Sequence, residues 1–242
     1  MSYGYENDGY DVVAQAGATA RATFMRRTYG LLAGSLLALV AIEAMLLQNI
    51  TRDQVFGFLG RSPFGMMGIF LGFMVVSWGA QAIAMQRVSQ ALQYLGLGLY
   101  IVMEAFLLLP MFFYAEARLG PEKMHGLIQS AGILSLCVFG GLSAAVLTTG
   151  NDYSFLRPII TIGCFLSVGL IICAMLFQLS LGVWFSFAMV GLLSACILYQ
   201  TSEVMHRFPS DMYVAAALML FSSVVTLFYY IFRILMSFQS RD

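Results

Sequence analysis

Charged residues are scarce in this chain. They make up 10% of its 242 residues, against about 25% in soluble domains. The 12 basic and 12 acidic side chains cancel, and the basic ones form no cluster of the kind that binds phosphates. Nucleic acid is therefore excluded as a partner. Apolar residues make up 60% of the chain, and this composition predicts an all-α polytopic membrane protein in contact with the lipid bilayer.

Residues that carry catalysis or bind metals are also few. The two histidines, His125 and His206, are expected at opposite membrane faces, and the four cysteines lie in apolar runs without C-x-x-C spacing. We expect these cysteines to be buried thiols. The sequence has no G-x-S-x-G or H-E-x-x-H motif, and its apolar runs contain no paired aspartates. We therefore predict no catalytic residue, no metal site and no cofactor, and we do not expect an enzyme.

The N-terminal segment, residues 1–24, is polar, rich in Gly and Tyr, and acidic at its start. It lacks the basic region and short apolar core of a secretory signal. We predict a flexible, uncleaved tail, which is either a disordered leader or the carrier of a docking motif. Residues 25–238 are predicted to form the transmembrane domain.

Long apolar runs divide the rest of the chain. A helix needs about 20 residues to cross a hydrocarbon core of about 30 Å, and seven runs come close to this length or exceed it. The predicted spans are 27–48, 64–85, 91–114, 127–148, 158–177, 183–201 and 212–236. Residues 115–125 are predicted to be a polar loop and residues 149–153 an interhelical turn.

The last fifty residues carry a recognisable pattern. The segment ILYQTSEVMHR, a short polar turn and the segment AAALMLFSSVVTLFYYIFRIL resemble the C-terminal signature of the Bax inhibitor-1 family, also called the transmembrane BAX inhibitor motif family. The resemblance extends over residues 24–238. Two aspartates of the family signature are replaced, by Gln200 and Ser223, and its asparagine is replaced by Thr226. The matching residues are Ile197, Leu198, Tyr199, Ala217, Leu218, Leu220, Phe221, Leu227, Phe228 and Arg233.

The resemblance implies a seven-helix bundle with the C-terminal helix at its centre. It also implies two classes of function. One is an ion leak, selective for calcium or another cation, in which the aspartate pair senses pH and the last two helices form the gate. The other is a non-conducting regulator that acts by contact, such as a modulator of a membrane protease, for which the N-terminal tail would be needed. We predict that Gln200 and Ser223 face one another at the family's gate positions.

The distribution of charged residues does not fix the side of the membrane on which each end of the chain lies. Arg26 and Arg27 flank the first span and favour a cytoplasmic N-terminus in the cell (inner) membrane. Seven crossings divide the basic residues equally between the two sides. If the last segment enters and returns instead, Arg233 and Arg241 join the inner side and the positive-inside rule is met better. We favour seven crossings, because the last segment has no central helix breaker.

Three charged residues lie at membrane depth. A charge at a helix centre costs about 2.5 to 3.5 kcal/mol, so such residues usually face a cavity or a partner. Glu104 is either a protonatable group that lines a pathway or a structural acid that is hydrogen-bonded to a neighbouring helix. Glu43 and Arg233 are predicted to lie towards the outer face, where they either pair or Arg233 extends to the interface.

Two polar residues follow Gln200 on the same helix. Glu203 lies three residues later and therefore on the same face. It either replaces part of the missing acidic site or is a solvated acid at the helix end. Histidine is the side chain type that can change charge near neutral pH, so His206 is either a pH sensor or an ordinary polar end.

Overall fold

The computed structural model describes residues 17–59, 72, 75–79, 82 and 89–239, and its regular elements are helical. Six of the helices are long and apolar enough to cross a membrane, as expected for an all-α polytopic membrane protein. The predicted span 64–85 lies largely outside the described residues, so the count of seven stays a prediction. The helices are α1 (Ala18–Asn49), α2 (Arg52–Leu59), α3 (Gln90–Leu119), α4 (Pro121–Thr149), α5 (Arg157–Phe177), α6 (Val183–His206) and α7 (Tyr213–Gln239).

The C-terminal helix α7 forms the centre of the bundle, as predicted. It contacts α1, α3, α4 and α6, and several of its large side chains, including Phe221 and Phe232, are fully buried. By contrast, α5 has only two buried residues, Ser167 and Ala174, and lies at the periphery. At about 1.5 Å per residue, the 27 residues of α7 form one helix of about 40 Å. A continuous helix of this length supports a full crossing rather than an entering and returning segment.

Aromatic contacts fix the alignment of α3 and α7. The Tyr94 and Tyr213 hydroxyls lie 3.0 Å apart, and the Arg27 guanidinium of α1 lies 5.7 Å from the centre of the Tyr213 ring. Helices α1, α3 and α7 therefore begin at the same end of the bundle, which we call the proximal end. Further along, the Tyr100 and Phe221 rings are 6.0 Å apart. Because the sequence offset between α3 and α7 partners stays near 120, the two helices run parallel.

The N-terminal boundary differs from the prediction. Helix α1 begins at Ala18, inside the segment predicted to be a tail, whereas residues 1–16 lie outside the described residues. The segment from Ala18 to Ala22 is rich in alanine, the residue that favours helix most. Phe24 is also buried in the core with 2% of its surface exposed, so packing extends the helix beyond the apolar run. The polar composition of residues 18–24 therefore did not mark the end of the helix.

The predicted loop 115–125 is also wrong. Helix α3 continues to Leu119, α4 starts at Pro121, and only Gly120 separates them. Gly120 has φ +85°, a conformation that glycine adopts without steric cost, and Pro121 suits the first position of a helix. In the same way, α6 continues beyond Thr201 to His206. The predicted turn 149–153 is confirmed for residues 150–153, whereas Thr149 is the last residue of α4.

Three of the four cysteines are not buried. Cys196 is buried, but Cys137, Cys164 and Cys173 are exposed on the surface of the bundle. The apolar runs that contain these cysteines also face the lipid, where a thiol is tolerated as a small apolar group.

Candidate functional site at the α6–α7 interface

The predicted contact between Gln200 and Ser223 is present. The Ser223 hydroxyl donates a hydrogen bond to Gln200 Oε1 at 2.7 Å, and Ser223 is only 5% exposed. The neighbouring hydroxyls of Ser222 and Thr226 donate to carbonyl oxygens of their own helix instead. Ser223 is therefore the hydroxyl of this stretch that joins α7 to α6. Both partners are neutral, so the contact does not change charge near neutral pH.

A second polar contact lies one residue further along α6. The hydroxyls of Thr201 and Ser143, which are both buried, are 3.4 Å apart. The Tyr29 hydroxyl of α1 lies beside them but has no hydrogen bond of good geometry within the described part of the chain. This contact ties α6 to α4 in the same layer of the bundle. Sequence reasoning did not single it out, although the run Gln200-Thr201-Ser202 inside an apolar segment is a detectable signal.

The proximal end of α6 is joined to the loop between α4 and α5. The Ser202 hydroxyl accepts a hydrogen bond from the Tyr153 N–H at 3.0 Å. Asp152 accepts one from the Ser154 N–H at 2.9 Å and forms an ion pair with Arg207 at 3.4 Å. The Ser154 hydrogen bond, with a smaller contribution from Arg207, lowers the pKa of Asp152 from its usual value. We call Asp152, Ser202 and Arg207 the loop clamp, which sequence reasoning also missed.

No hydrogen bond among the described residues joins Glu203 or His206 to the Gln200–Ser223 pair. Glu203 is partly buried and lies beside the Tyr199 hydroxyl. His206 Nδ1 donates a hydrogen bond to the Ser202 carbonyl oxygen at 2.9 Å, back along its own helix. Both residues belong to the proximal end of α6. Their proposed roles as a replacement acid and a pH sensor stay predictions.

Glu104 is buried on the other side of α7. It is 4% exposed, and its carboxyl group lies within hydrogen-bonding reach of Tyr100, one turn earlier in α3. The α3–α7 alignment places Glu104 at about the level of Ser223. However, Ser223 lies two residues after Phe221, which contacts α3, and so points about 200° away around the helix. The body of α7 therefore separates Glu104 from the Gln200–Ser223 pair.

Of the two alternatives for Arg233, the pair with Glu43 is not formed. The Arg233 guanidinium donates to the Leu181 carbonyl oxygen in the connection between α5 and α6. Glu43 is 7% exposed, and neither of its carboxylate oxygens has a hydrogen-bond partner among the described residues. Connecting segments between helices leave carbonyl oxygens unpaired, and one of these lies within reach of Arg233.

Most of the chain matches a known protein family. Residues 21–240 match the family model described as "Inhibitor of apoptosis-promoting Bax1". The chain belongs to this family. A BI1-like protein of Arabidopsis thaliana is 27% identical over 218 residues, which cover 88% of this chain and 79% of the plant protein.

A bacterial relative is similar over a shorter stretch. An uncharacterised protein of Pseudomonas aeruginosa, PA2604, is 40% identical over 111 residues, which are 46% of this chain and 50% of the relative. The match thus spans about half of that relative's length.

The chemistry of the α6–α7 contact in this Bax inhibitor-1 family member follows from the two side-chain groups that form it, an amide and a hydroxyl. An amide oxygen and a hydroxyl bring no negative charge, whereas calcium sites are built mainly on carboxylates. The described residues also contain no group of three His, Cys, Asp or Glu side chains that could hold a metal ion. The contact can hold α6 against α7, and its strength does not depend on pH.

Proposed function

We propose that this membrane protein lacks a pH-gated calcium leak and acts as a non-conducting regulator through contact with other membrane proteins. The observation that carries the proposal is the neutral hydrogen bond between Ser223 and Gln200. A titratable pair at these positions would open or close as protons bind. A neutral hydrogen bond contributes about 0.5 to 1.5 kcal/mol to the contact between the two helices, and this contribution is the same at any pH near neutrality.

The packing of α7 supports the same proposal. Leu220, Leu227 and Phe232 have no exposed surface, and the helix is in contact with four others. An ion path along α7 would require these side chains to leave their packed positions, and dense interiors resist such displacement. The packing of the bundle therefore favours a protein that keeps one conformation over a protein that opens an ion pathway along α7.

The alternative is a constitutive leak for calcium or another cation. Glu104, a carboxyl group buried inside the bundle, favours it, because acids at membrane depth often line ion pathways. Against it stands the enclosure of Glu104 by α3 and α7, away from Gln200. Flux measurements separate the two functions directly.

Calcium flux into proteoliposomes between pH 6 and 8 tests the proposal. We expect the wild-type protein to give no flux above that of empty liposomes at any pH. The double variant Gln200→Asp with Ser223→Asp should introduce a pH-dependent flux if the surrounding helices can open. The matched control is Gln200→Asp with Ser222→Asp, which adds the same charges but places the second acid about 100° away around α7.

Three results would contradict parts of this proposal. A steep calcium response of the wild-type protein between pH 6 and 8 would restore the pH-gated leak and move the sensor to Glu104, Glu203 or His206. A pH-independent flux would favour the constitutive leak. Equal fluxes through both double variants would show that the added charge matters and its position does not.

If the protein is a regulator, the resemblance implies a membrane protease as its partner. We propose that the protein lies in the inner membrane of the cell with its N-terminus in the cytoplasm. The tail then provides the accessible contact. A chain that lacks residues 1–16 should keep its thermal stability and lose co-purification with the protease. Retained co-purification would rule out the tail as the docking element.

A further inference from the structure

A cleft of about 570 Å³ opens at the proximal end of the bundle, where α1, α3 and α7 begin. Its lining contains two arginines and two tyrosines together with one amide and an apolar floor. The residues are Arg26, Arg27, Gly30, Leu31, Gln90, Tyr94 and Tyr213. Side chains from three helices thus converge on one space, and neither of the proposed functions uses it.

The charge in this cleft is positive and unbalanced. Among the described residues no carboxylate lines it, and the ion pair found among them joins Arg207 to Asp152 and not to Arg26 or Arg27. The Arg27 guanidinium lies over the Tyr213 ring at 5.7 Å, which holds it at the cleft while its N–H groups stay available. Arginine N–H groups match the paired oxygens of a phosphate group.

The tyrosines add hydrogen-bonding groups at the same place. The Tyr94 and Tyr213 hydroxyls are 3.0 Å apart and bonded to one another. Only one hydroxyl donates in this bond, so the other keeps its proton for an acceptor in the cleft. The Gln90 amide adds further donors at the rim. A phosphate oxygen would therefore meet both charged and neutral donors.

The cleft continues into an apolar surface. Leu31 lies in its floor, and a Cβ atom added at Gly30 would meet nothing within 4 Å, so the wall is open there. Beyond it, α1 exposes Leu37 and Val40, and α3 exposes Leu95. Leu37 and Val40 follow Arg26 and Gly30 at spacings of three, four and seven residues, so these residues share one face of α1 and could accompany an acyl chain. The shape and polarity fit one amphiphilic molecule with a phosphate head.

We propose that this cleft binds an anionic phospholipid, with its phosphate between Arg26 and Arg27 and one acyl chain along the exposed face between α1 and α3. Basic pockets between membrane helices bind anionic head groups in this way. Two uncompensated arginines favour a lipid with net negative charge over a zwitterionic one, because a choline cation would be repelled by the same guanidinium groups.

Binding to the purified protein in detergent tests the proposal. Phosphatidylglycerol, phosphatidylcholine and inorganic phosphate are titrated separately, and bound lipid is counted by native mass spectrometry alongside the thermal midpoint. We expect phosphatidylglycerol to bind most tightly. Arg26→Gln with Arg27→Gln should weaken it by roughly tenfold or more, because each basic residue near an anionic lipid contributes about a factor of five.

The chain offers a matched control. Arg118, at the other end of α3, also lies over a tyrosine ring, at 5.2 Å from the centre of Tyr114. Arg118→Gln removes the same kind of side chain and should leave phosphatidylglycerol binding unchanged. Tyr94→Phe should weaken it by less than the double arginine variant, since one neutral donor is lost.

The remaining outcomes would overturn the proposal. Equal binding of phosphatidylcholine would remove the argument from charge. Competition by inorganic phosphate at concentrations similar to those of the lipid would identify a free phosphate site. Equal losses with Arg118→Gln and the double variant would show general attraction to basic residues. If the double variant does not fold, Tyr94→Phe and the comparison of the three ligands on wild-type protein still decide the question.

Discussion

At the scale of single residues, the two buried carboxyl groups of the bundle have different surroundings. Glu104 lies beside a hydroxyl donor on its own helix, whereas Glu43 has no hydrogen-bond partner among the described residues. A buried polar group without a partner costs about 1 to 3 kcal/mol. Glu104 is thus compatible with a structural role, and Glu43 is a source of instability that packing elsewhere must offset.

Replacing Glu43 should therefore stabilise the protein. Glu43→Met keeps the approximate volume and removes both oxygens that lack partners, so we expect an increase of about 1 to 3 kcal/mol in the free energy of unfolding. Unfolding in mixed detergent micelles measures it. The control, Glu122→Met at the exposed start of α4, should change stability by less than about 0.5 kcal/mol. A destabilised Glu43→Met would show that Glu43 has a partner outside the described residues.

Glu104→Gln tests the role of the other carboxyl group. The amide keeps the shape and can still bond to the Tyr100 hydroxyl, so we expect the free energy of unfolding to change by less than about 1 kcal/mol. Glu104→Ala, which loses the packing and the bond, should cost about 2 to 3 kcal/mol. If wild-type protein shows a pH-dependent flux that Glu104→Gln alters, the carboxyl group lies in a pathway and our proposal of a non-conducting protein fails.

At the scale of elements, the junctions between helices depend on a few residues each. Gly120 alone joins α3 to α4, with φ +85°. Gly120→Ala would place a Cβ atom in a backbone conformation that disfavours it, so we expect a loss of about 1 to 2 kcal/mol in unfolding free energy. Gly132→Ala, inside α4 with open space around the new Cβ atom, should be neutral or slightly stabilising. Equal losses from both changes would show that the φ value at Gly120 is unimportant.

The loop clamp responds to acid. The pKa of Asp152 is lower in the folded protein than its usual value of 3.8, mainly because the Ser154 N–H bonds to the carboxylate. The stabilising contribution of Asp152 is therefore present above the unfolded-state pKa and is lost as the pH falls through the lower folded-state pKa. The Ser154 amide resonance, in protein labelled with ¹⁵N-serine, should shift with a midpoint below 3.8. Asp152→Asn should abolish this titration, and a midpoint at or above 3.8 would contradict the clamp.

At the scale of the whole molecule, stability depends on the centre more than on the rim. Phe232 of α7 is fully buried, and its ring lies 5.5 Å from that of Phe112. Phe232→Ala should cost about 3 to 5 kcal/mol through the cavity that it leaves. Phe165 of α5 is 78% exposed, and Phe165→Ala should cost less than about 1 kcal/mol. Unfolding in mixed micelles compares the two, and similar losses would argue against a central α7.

Some of the contacts between helices could be predicted from the sequence and others could not. The Gln200–Ser223 contact was predicted because a family pattern fixes the relative positions of α6 and α7. The Ser143–Thr201 contact was missed because no pattern relates α4 to α6, and serine or threonine in a membrane helix usually bonds to its own backbone. The sequence left the pairing of Glu43 with Arg233 open, because shared depth does not determine the direction in which each side chain points.

The sequence by itself determined the membrane class, the approximate spans and the central position of the last helix. Apolar length and composition carry the class and the spans, because the bilayer sets a minimum helix length whatever the neighbours are, whereas the central position of the last helix was implied by the resemblance to the family. Only the tertiary structure decided the partner of Arg233, the loop clamp and the cleft beside Arg27. These features depend on how each helix is rotated and aligned against the others, and that rotation is set by packing among many side chains at once.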